Sequence, residues 1–185
     1  MSHDTVPAAL ADAIVLDEEG KEVRLGDTWT QKPVVLAFVR HFGCMFCREH
    51  VNELNKHADE MKAVGAELVV VGSGTPNFVR GFRELVKFKG PVYCDPKLGA
   101  YQAAHLKNNR WLNLHPLNLI NLARAVGRGN CQGRMQGVDG QQGGVLVIFP
   151  PDRVAFWHVS ARAGDNASPS RVLAALRSGA RAKAA

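Results

Sequence analysis

The chain has 185 residues, of which 46% are hydrophobic, 22% charged and 7% aromatic, with four cysteines and a formal charge of +6 at pH 7. A chain of this length buries about 70% of the surface its unfolded form exposes, so it builds a core without disulfide staples, and its composition excludes disordered, collagen-like and coiled-coil chains. The charge is uneven: residues 97–138 and 171–185 carry bases and no acid, while the remainder carries more acids than bases. A nucleic-acid partner is not expected, because only Tyr101 and Trp111 stand among the basic residues of the first segment and supply no stacking platform.

Residues 1–15 contain acids, no basic leader and no uninterrupted apolar stretch, so they do not read as a secretory signal. No segment approaches the ~20 apolar residues that span a bilayer, and no membrane partner is expected. The expected compartment is the cytoplasm. Its reducing conditions turn a close cysteine pair toward redox chemistry or metal binding rather than a structural disulfide.

From Val6 to Leu25 the chain reads as short extended pieces around the turn Asp17-Glu18-Glu19-Gly20, a small hairpin that precedes the main sheet. Val34–Val39 is a continuous apolar run rich in β-branched residues, the pattern of a strand buried on both faces. Val51, Leu54, Ala58 and Met61 recur at helical spacing across residues 44–63, with Gly65 as a stop, and Leu68–Val71 is a second buried strand. Strand, helix and strand in about forty residues make a βαβ unit with a right-handed crossover.

Thr75 and Pro76 predict the start of another helix whose apolar stripe is Phe78, Val79, Phe82, Leu85 and Val86. Pro91–Cys94 reads as a short strand and Asp95-Pro96 as the opening of a helix or turn. Leu119, Leu122, Ala123 and Val126 predict a further helix, followed by a glycine-rich mobile loop from Gly127 to Gly144. Val145–Phe149 and Arg153–Val159, joined at Pro150-Pro151-Asp152, form an antiparallel hairpin. Ser168 and Pro169 start a last helix carrying Val172, Leu173 and Leu176, with a basic 171–185 segment expected to fray after Gly179. No repeat or linker divides the chain, so residues 1–185 are read as one α/β domain, a mixed central sheet with helices on both faces and an N-terminal hairpin extension. This is the element order of a thioredoxin-like fold.

The chemistry is carried by Cys44-Met45-Phe46-Cys47, preceded by Gly43 and followed by Arg48, where the first long strand ends and its helix begins. Free N–H groups and the partial positive charge of a helix N-terminus favour thiolate over thiol, and lower such cysteines from ~8.5 into a range of roughly 3.5 to 7.5. The spacing brings the sulfurs near enough to close a disulfide reversibly. Arg40, His41 and Arg48 add nearby positive charge. A zinc site needs further paired ligands, and Cys94 and Cys131 are single; attachment of c-type haem needs histidine at position 48, where arginine stands. Cys94 reads as a buried small hydrophobe and Cys131 as an incidental loop thiol. His41 is expected to face solvent, His158 to be structural, and Arg124 and Arg128 to line a solvated helix face.

The run Phe38-Val39-Arg40-His41-Phe42-Gly43-Cys44-Met45-Phe46-Cys47-Arg48-Glu49, followed by Leu54, resembles the active-site segment of the AhpC/TSA-type peroxiredoxin-like family, in the branch that includes prostamide/prostaglandin F synthases. Gly143–Val147, His158 and Gly164-Asp165 resemble its final hairpin and helix start. The resemblance covers roughly Val6 to Leu176. It implies a thiol-dependent oxidoreductase that reduces peroxides or disulfides through Cys44 and Cys47, with Arg40, Gly43, Arg48 and Gly144 in support. It further implies no bound cofactor or metal, an external thioredoxin- or glutathione-type reductant, and a homodimer as one arrangement.

Two departures narrow the reading. If Cys47 takes the peroxidatic position of the peroxiredoxin motif PxxxTxxC, Arg40 replaces its proline and Cys44 its threonine. The arginine usual before the late strand is also missing, with Gly143 and Gly144 at that stretch. Which sulfur attacks stays open: exposure at the helix start favours Cys44, with Cys47 resolving, whereas the peroxiredoxin correspondence favours Cys47. A redox-sensing binding module and a lipid endoperoxide reductase are the alternative functions.

Overall fold

Val34–Val39 (β3) is buried at every position, and its alternation sorts side chains between two cores. Val35, Ala37 and Val39 face one cluster; Val34, Leu36 and Phe38 face the other. A strand apolar on both faces belongs in the middle of a covered sheet. In the computed structural model, which describes residues 4–109, 137 and 140–184, β3 lies between a parallel neighbour, Glu67–Gly72 (β4), and an antiparallel one, Gly144–Phe149 (β6).

The full sheet has seven strands in the order β2-β1-β5-β4-β3-β6-β7, where β1 is Ile14–Leu16, β2 Glu22–Arg24, β5 Val92–Cys94 and β7 Arg153–Val159. The predicted N-terminal hairpin is β1 and β2, and β1 continues the sheet by pairing Leu16 with Cys94 of β5. One helical turn, Ala8–Ala11 (α1), and Gly99–Ala103 (α5) cover one face; Met45–Asn55 (α2), Ala58–Ala63 (α3), Val79–Val86 (α4) and Pro169–Ala184 (α6) cover the other. This is the expected mixed α/β sheet with helices on both faces.

Several expectations need correction. The helix predicted across residues 44–63 is two, α2 and α3, because the chain turns at Lys56 and His57; Met61 of α3 still packs into the same core as Val51 and Leu54 of α2. A 3-10 turn, Pro76–Phe78, precedes α4 and resets its phase, so Val79, Phe82 and Val86 are buried and Leu85 is exposed. The last helix runs past Gly179 to Ala184, since a Cβ at Gly179 would meet the Phe149 ring and the glycine lets the helix lie close to β6. Gly140–Gly144, the described end of the predicted mobile loop, is buried: Gln142 N–H donates to Lys107 O, and Gly144 already pairs with Phe38. The predicted helix around Leu119–Val126, Arg124, Arg128 and Cys131 lie outside the described residues.

Candidate active site

At Val39 the central strand ends and the chain turns through residues 40–44 before α2 begins. Phe42 anchors the turn. Its ring packs 5.0 Å from Phe82 and lies directly against Gly72, where any Cβ would overlap it. Arg48 holds the same turn from the helix, with Nε donating to Phe42 O and Nη2 to Gly43 O, each at 3.3 Å. The Ser73 hydroxyl donates to Arg40 O at 2.6 Å. Below it, the buried Tyr101 hydroxyl sits between Val39 O and Val71 O and, having one proton, donates to one of them at a time.

Cys44 is the N-cap residue of α2, and its carbonyl accepts the Arg48 N–H at 3.1 Å. Cys47 lies one turn on, where the backbone N–H of Arg40 donates to its sulfur at 3.2 Å. The Arg40 guanidinium lies with Nη1 3.9 Å from Cys44 Sγ, steadied by Nε donating to Gln141 O at 3.0 Å. Both thiols are free.

These contacts separate the two sulfurs electrostatically. The Cys44 thiol is lowered to about 6, chiefly because the Cys47 thiol donates a hydrogen bond to it. Burial opposes that shift; the Arg40 charge and the first-turn N–H groups of Cys47 and Phe46 reinforce it, the latter at longer range than a capping hydrogen bond. Cys47 is pushed up by burial and by the neighbouring Cys44 charge. The pair therefore holds one negative charge, on Cys44, and one proton, on Cys47.

The expectation that Cys44 is the more exposed sulfur is wrong: Cys44 is 1% exposed and Cys47 6%. Phe42 draws the turn down onto the sheet and takes Cys44 with it. Arg48 grips carbonyl groups rather than a sulfur, and His41 is buried rather than facing solvent. Gly43 supplies one of those carbonyls. Gly144 serves packing: a Cβ there would strike His158 O and the Leu106 side chain. Cys94 is buried, and its thiol is pushed up to about 12 by desolvation, as befits an inert core residue. His158 stacks on Phe156 and bonds Asp165 O, the expected structural role.

Beside Cys47 a narrow crevice opens between Phe46 and His50 of α2, Gly143, and the loop after β7 that carries Arg162 and Asn166. Its open space is about 10 Å³, near the least that admits one water molecule. His50 is buried, its Nε2 donating to Ala167 O at 3.1 Å, and desolvation lowers it to about 4, so the ring is neutral at pH 7. Asn166 Nδ2 donates to Phe46 O. Sequence reasoning passed over His50, Arg162 and Asn166. Only His50 had a readable signal, three residues after Cys47 on the same helix.

A cysteine pair at the head of the helix that follows the central strand of this mixed sheet defines a thioredoxin-like protein of the peroxiredoxin-like kind. The AhpC/TSA antioxidant enzyme family profile matches residues 53–162, and the chain belongs to that family. The match begins after Cys47, so the pair itself stands outside it. Thioredoxin-like protein AAED1 from Arabidopsis thaliana, described as chloroplastic, is 32% identical over 87% of this chain and 68% of its own length. Human peroxiredoxin-like 2C is 29% identical over 85% and 74%, and the prostamide/prostaglandin F synthase of Bos taurus 31% over 93% and 89%. Among solved structures, the peroxidoxin BcpB of Mycobacterium tuberculosis superposes with a TM-score of 0.68 at 20% identity, covering 95% of this chain and 98% of its own. The bacterioferritin comigratory protein of Xanthomonas campestris gives 0.70 at 16%, covering 97% and 99%. Both establish the thioredoxin-like fold. No helix among the described residues is long and apolar enough to cross a membrane.

Proposed function

We propose that the protein is a dithiol peroxidase in which Cys44 is the attacking thiolate and Cys47 the proton donor and resolving thiol. The observation that carries this reading is the placement of Cys44 at the head of α2 with the Arg40 guanidinium 3.9 Å from its sulfur and Cys47 one turn on, an arrangement that lowers the Cys44 thiol. The Cys44 thiolate attacks the terminal oxygen of a hydroperoxide, the S–O bond forms and the O–O bond breaks. The departing alkoxide or hydroxide takes the Cys47 proton, leaving Cys44 as sulfenic acid and Cys47 as thiolate. Cys47 then attacks the Cys44 sulfur, hydroxide leaves and is protonated to water, and the pair is a disulfide. An external dithiol or two small thiols return it to the reduced state. That reductant calls for a reducing compartment, whether the cytoplasm or an organelle such as that of the chloroplastic relative.

A peroxide entering the crevice meets Cys47 before Cys44, which suits a thiol that hands its proton to the leaving oxygen. The crevice in this state has room for about one water molecule, so an oxidant reaches the pair only as it widens, which favours hydrogen peroxide over a bulky lipid endoperoxide.

The test is reductant-coupled turnover of hydrogen peroxide, an organic hydroperoxide and a model protein disulfide by the wild type, Cys44→Ser and Cys47→Ser. Peroxide turnover lost in both variants is expected, with Cys47→Ser still consuming one equivalent of peroxide and accumulating a mixed disulfide with the reductant. Accumulation in Cys44→Ser but not in Cys47→Ser reverses the two roles. Reduction of the disulfide substrate alone removes the peroxidase assignment.

A further inference from the structure

At the far end of α2 from the cysteines, where Asn55 closes the helix, lies a cavity of about 360 Å³, within the size range of small-molecule sites. Gly65, with φ +74°, turns the chain between α3 and β4, and a Cβ there would meet nothing within 4 Å, so this wall is open. On the opposite wall Lys87, left-handed at φ +49°, ends α4 and lets the Phe88 N–H donate to Arg83 O at 3.1 Å. A Cβ at Gly90 would overlap the Phe88 ring, so the glycine leaves that ring its place against the core. The apolar part of the lining is Ala58, Ala66, Leu68 and Phe88, the last three belonging to the core on this side of the sheet. Three cations, Lys32, Lys62 and Lys89, stand around it against one acid, Glu67. Lys32 is answered by Glu67 at 2.8 Å, and Lys62 reaches the fully exposed Asp59 only at 3.6 Å. Lys89 makes no ion pair among the described residues.

From this cavity we infer a second binding site, for a medium-chain monocarboxylate whose aliphatic chain lies on Ala66, Leu68 and Phe88 and whose carboxylate is held by Lys89 with help from Lys62. A sugar or a nucleotide base would bring several hydrogen-bonding groups, and Asn55 is the one uncharged polar side chain of the lining, so most of them would go unanswered. A polyphosphate would need several open cations, whereas Glu67 and Asp59 already draw on two of the three and leave one unshared charge for one singly charged head group. An apolar chain takes the remaining space and covers core surface that the fold leaves bare. No residue of the cysteine turn lines the cavity, and Asn55 lies eleven residues along α2, about 16 Å from Cys44, so the site is independent of the peroxidase reading.

The test is calorimetry of the reduced full chain with hexanoate, octanoate and octanamide, all below their micellar range. Octanoate is expected to bind one to one, and octanamide, with the same chain and no charge, about tenfold more weakly, the size of one charge-assisted hydrogen bond. Each methylene is worth about fourfold, so hexanoate should bind more than tenfold more weakly than octanoate. Lys89→Gln should weaken octanoate about tenfold and leave octanamide unchanged, Lys89→Arg should keep most of the preference for the acid, and Arg80→Gln, on the exposed face of α4, should keep all of it. Ala58→Phe, which fills the cavity from the start of α3, should abolish binding of all three. No binding of octanoate by the wild type, equal binding of octanoate and octanamide, or octanoate binding that ignores Lys89→Gln overturns the inference, and so does an affinity independent of chain length. The heat of binding does not depend on turnover: a protein that binds octanoate in this pattern but consumes no peroxide keeps this site and loses the peroxidase reading, and one that turns over peroxide without binding octanoate does the reverse.

Discussion

The Arg40 guanidinium lies 3.9 Å from the Cys44 sulfur while the backbone N–H of the same residue is bonded to Cys47, so one residue at the end of the central strand serves both members of the pair. Its charge is nonetheless the lesser influence on Cys44; the hydrogen bond from Cys47 is the larger. Replacements should follow that ranking. Cys47→Ala is expected to raise the Cys44 thiol further than Arg40→Gln does, and Arg40→Lys to raise it least. The pH dependence of alkylation of Cys44 by iodoacetamide measures all three; Arg40→Gln producing the largest rise would refute the ranking.

In the reduced wild type, that alkylation should rise with a midpoint near pH 6, well below the 9 of an ordinary cysteine. A depressed acid also links to stability. Between 6 and 9 the unfolded chain holds the Cys44 proton and the folded chain does not, so this contribution to stability is complete above about 9 and is lost as the pH falls through about 6. Urea unfolding of the reduced wild type against Cys44→Ser should show an advantage for the wild type that is larger at pH 9 than at pH 5. An advantage that does not change with pH would place the thiolate on a different residue.

His50 gives a second linkage in the acid range. It is buried, held neutral by desolvation with His158 nearby, and lowered from 6.5 to about 4. Below 6.5 the unfolded chain takes up a proton that the folded chain refuses, so stability present above 6.5 is lost as the pH falls toward 4. The full span is on the order of 3 kcal/mol. His50→Phe should flatten the stability profile between pH 4 and 6.5 in denaturant titrations of the reduced protein. A profile as steep as the wild type's would show that another group titrates there.

The strands and the pair were legible because their signals are local. Val34–Val39 and the Leu68–Val71 run could hardly be anything but buried strands, and the cysteines follow the first at the point where a helix must start. Sheet order was not legible: β1 joins β5 through a single registered pair that no periodicity encodes. Helix ends were hidden where left-handed positions carry no glycine, as at Lys87 with φ +49° and Leu98 with φ +60°. Arg162 was invisible for another reason. An arginine in a loop looks like solvent-exposed charge until the turn at Gly164 places its Nε inside the crevice.

Tyr101 supports the site from beneath. Its hydroxyl serves the carbonyl of Val39, which ends β3, and that of Val71 in β4, and its ring meets Phe38 edge-on at 5.0 Å. Tyr101→Phe keeps the ring and leaves both carbonyl groups without that donor, at a cost of about 1–3 kcal/mol. Because Val39 immediately precedes Arg40, the same change should also slow alkylation of Cys44 near pH 7. A stability loss without any change in thiol reactivity would separate the strand end from the cysteine turn.

Gly72 tests that connection from the other side. It ends β4, opposite Val39 in the parallel register, and its missing side chain is the space that the Phe42 ring fills. Gly72→Ala puts a methyl group into an aromatic ring that is itself packed on Phe82, so the ring must move. Overpacking of this kind costs about 1–3 kcal/mol. Phe42 cannot shift without carrying the turn it anchors, including the carbonyl that Arg48 holds and the N-cap sulfur of Cys44. The expected result is therefore a lowered midpoint in urea together with an altered rate of Cys44 alkylation. Phe42→Leu in the Gly72→Ala background should recover part of both, because the smaller side chain leaves room for the added methyl. Stability recovered without recovery of the thiol rate would show that the Phe42 ring itself, rather than the path of the turn, sets the Cys44 environment.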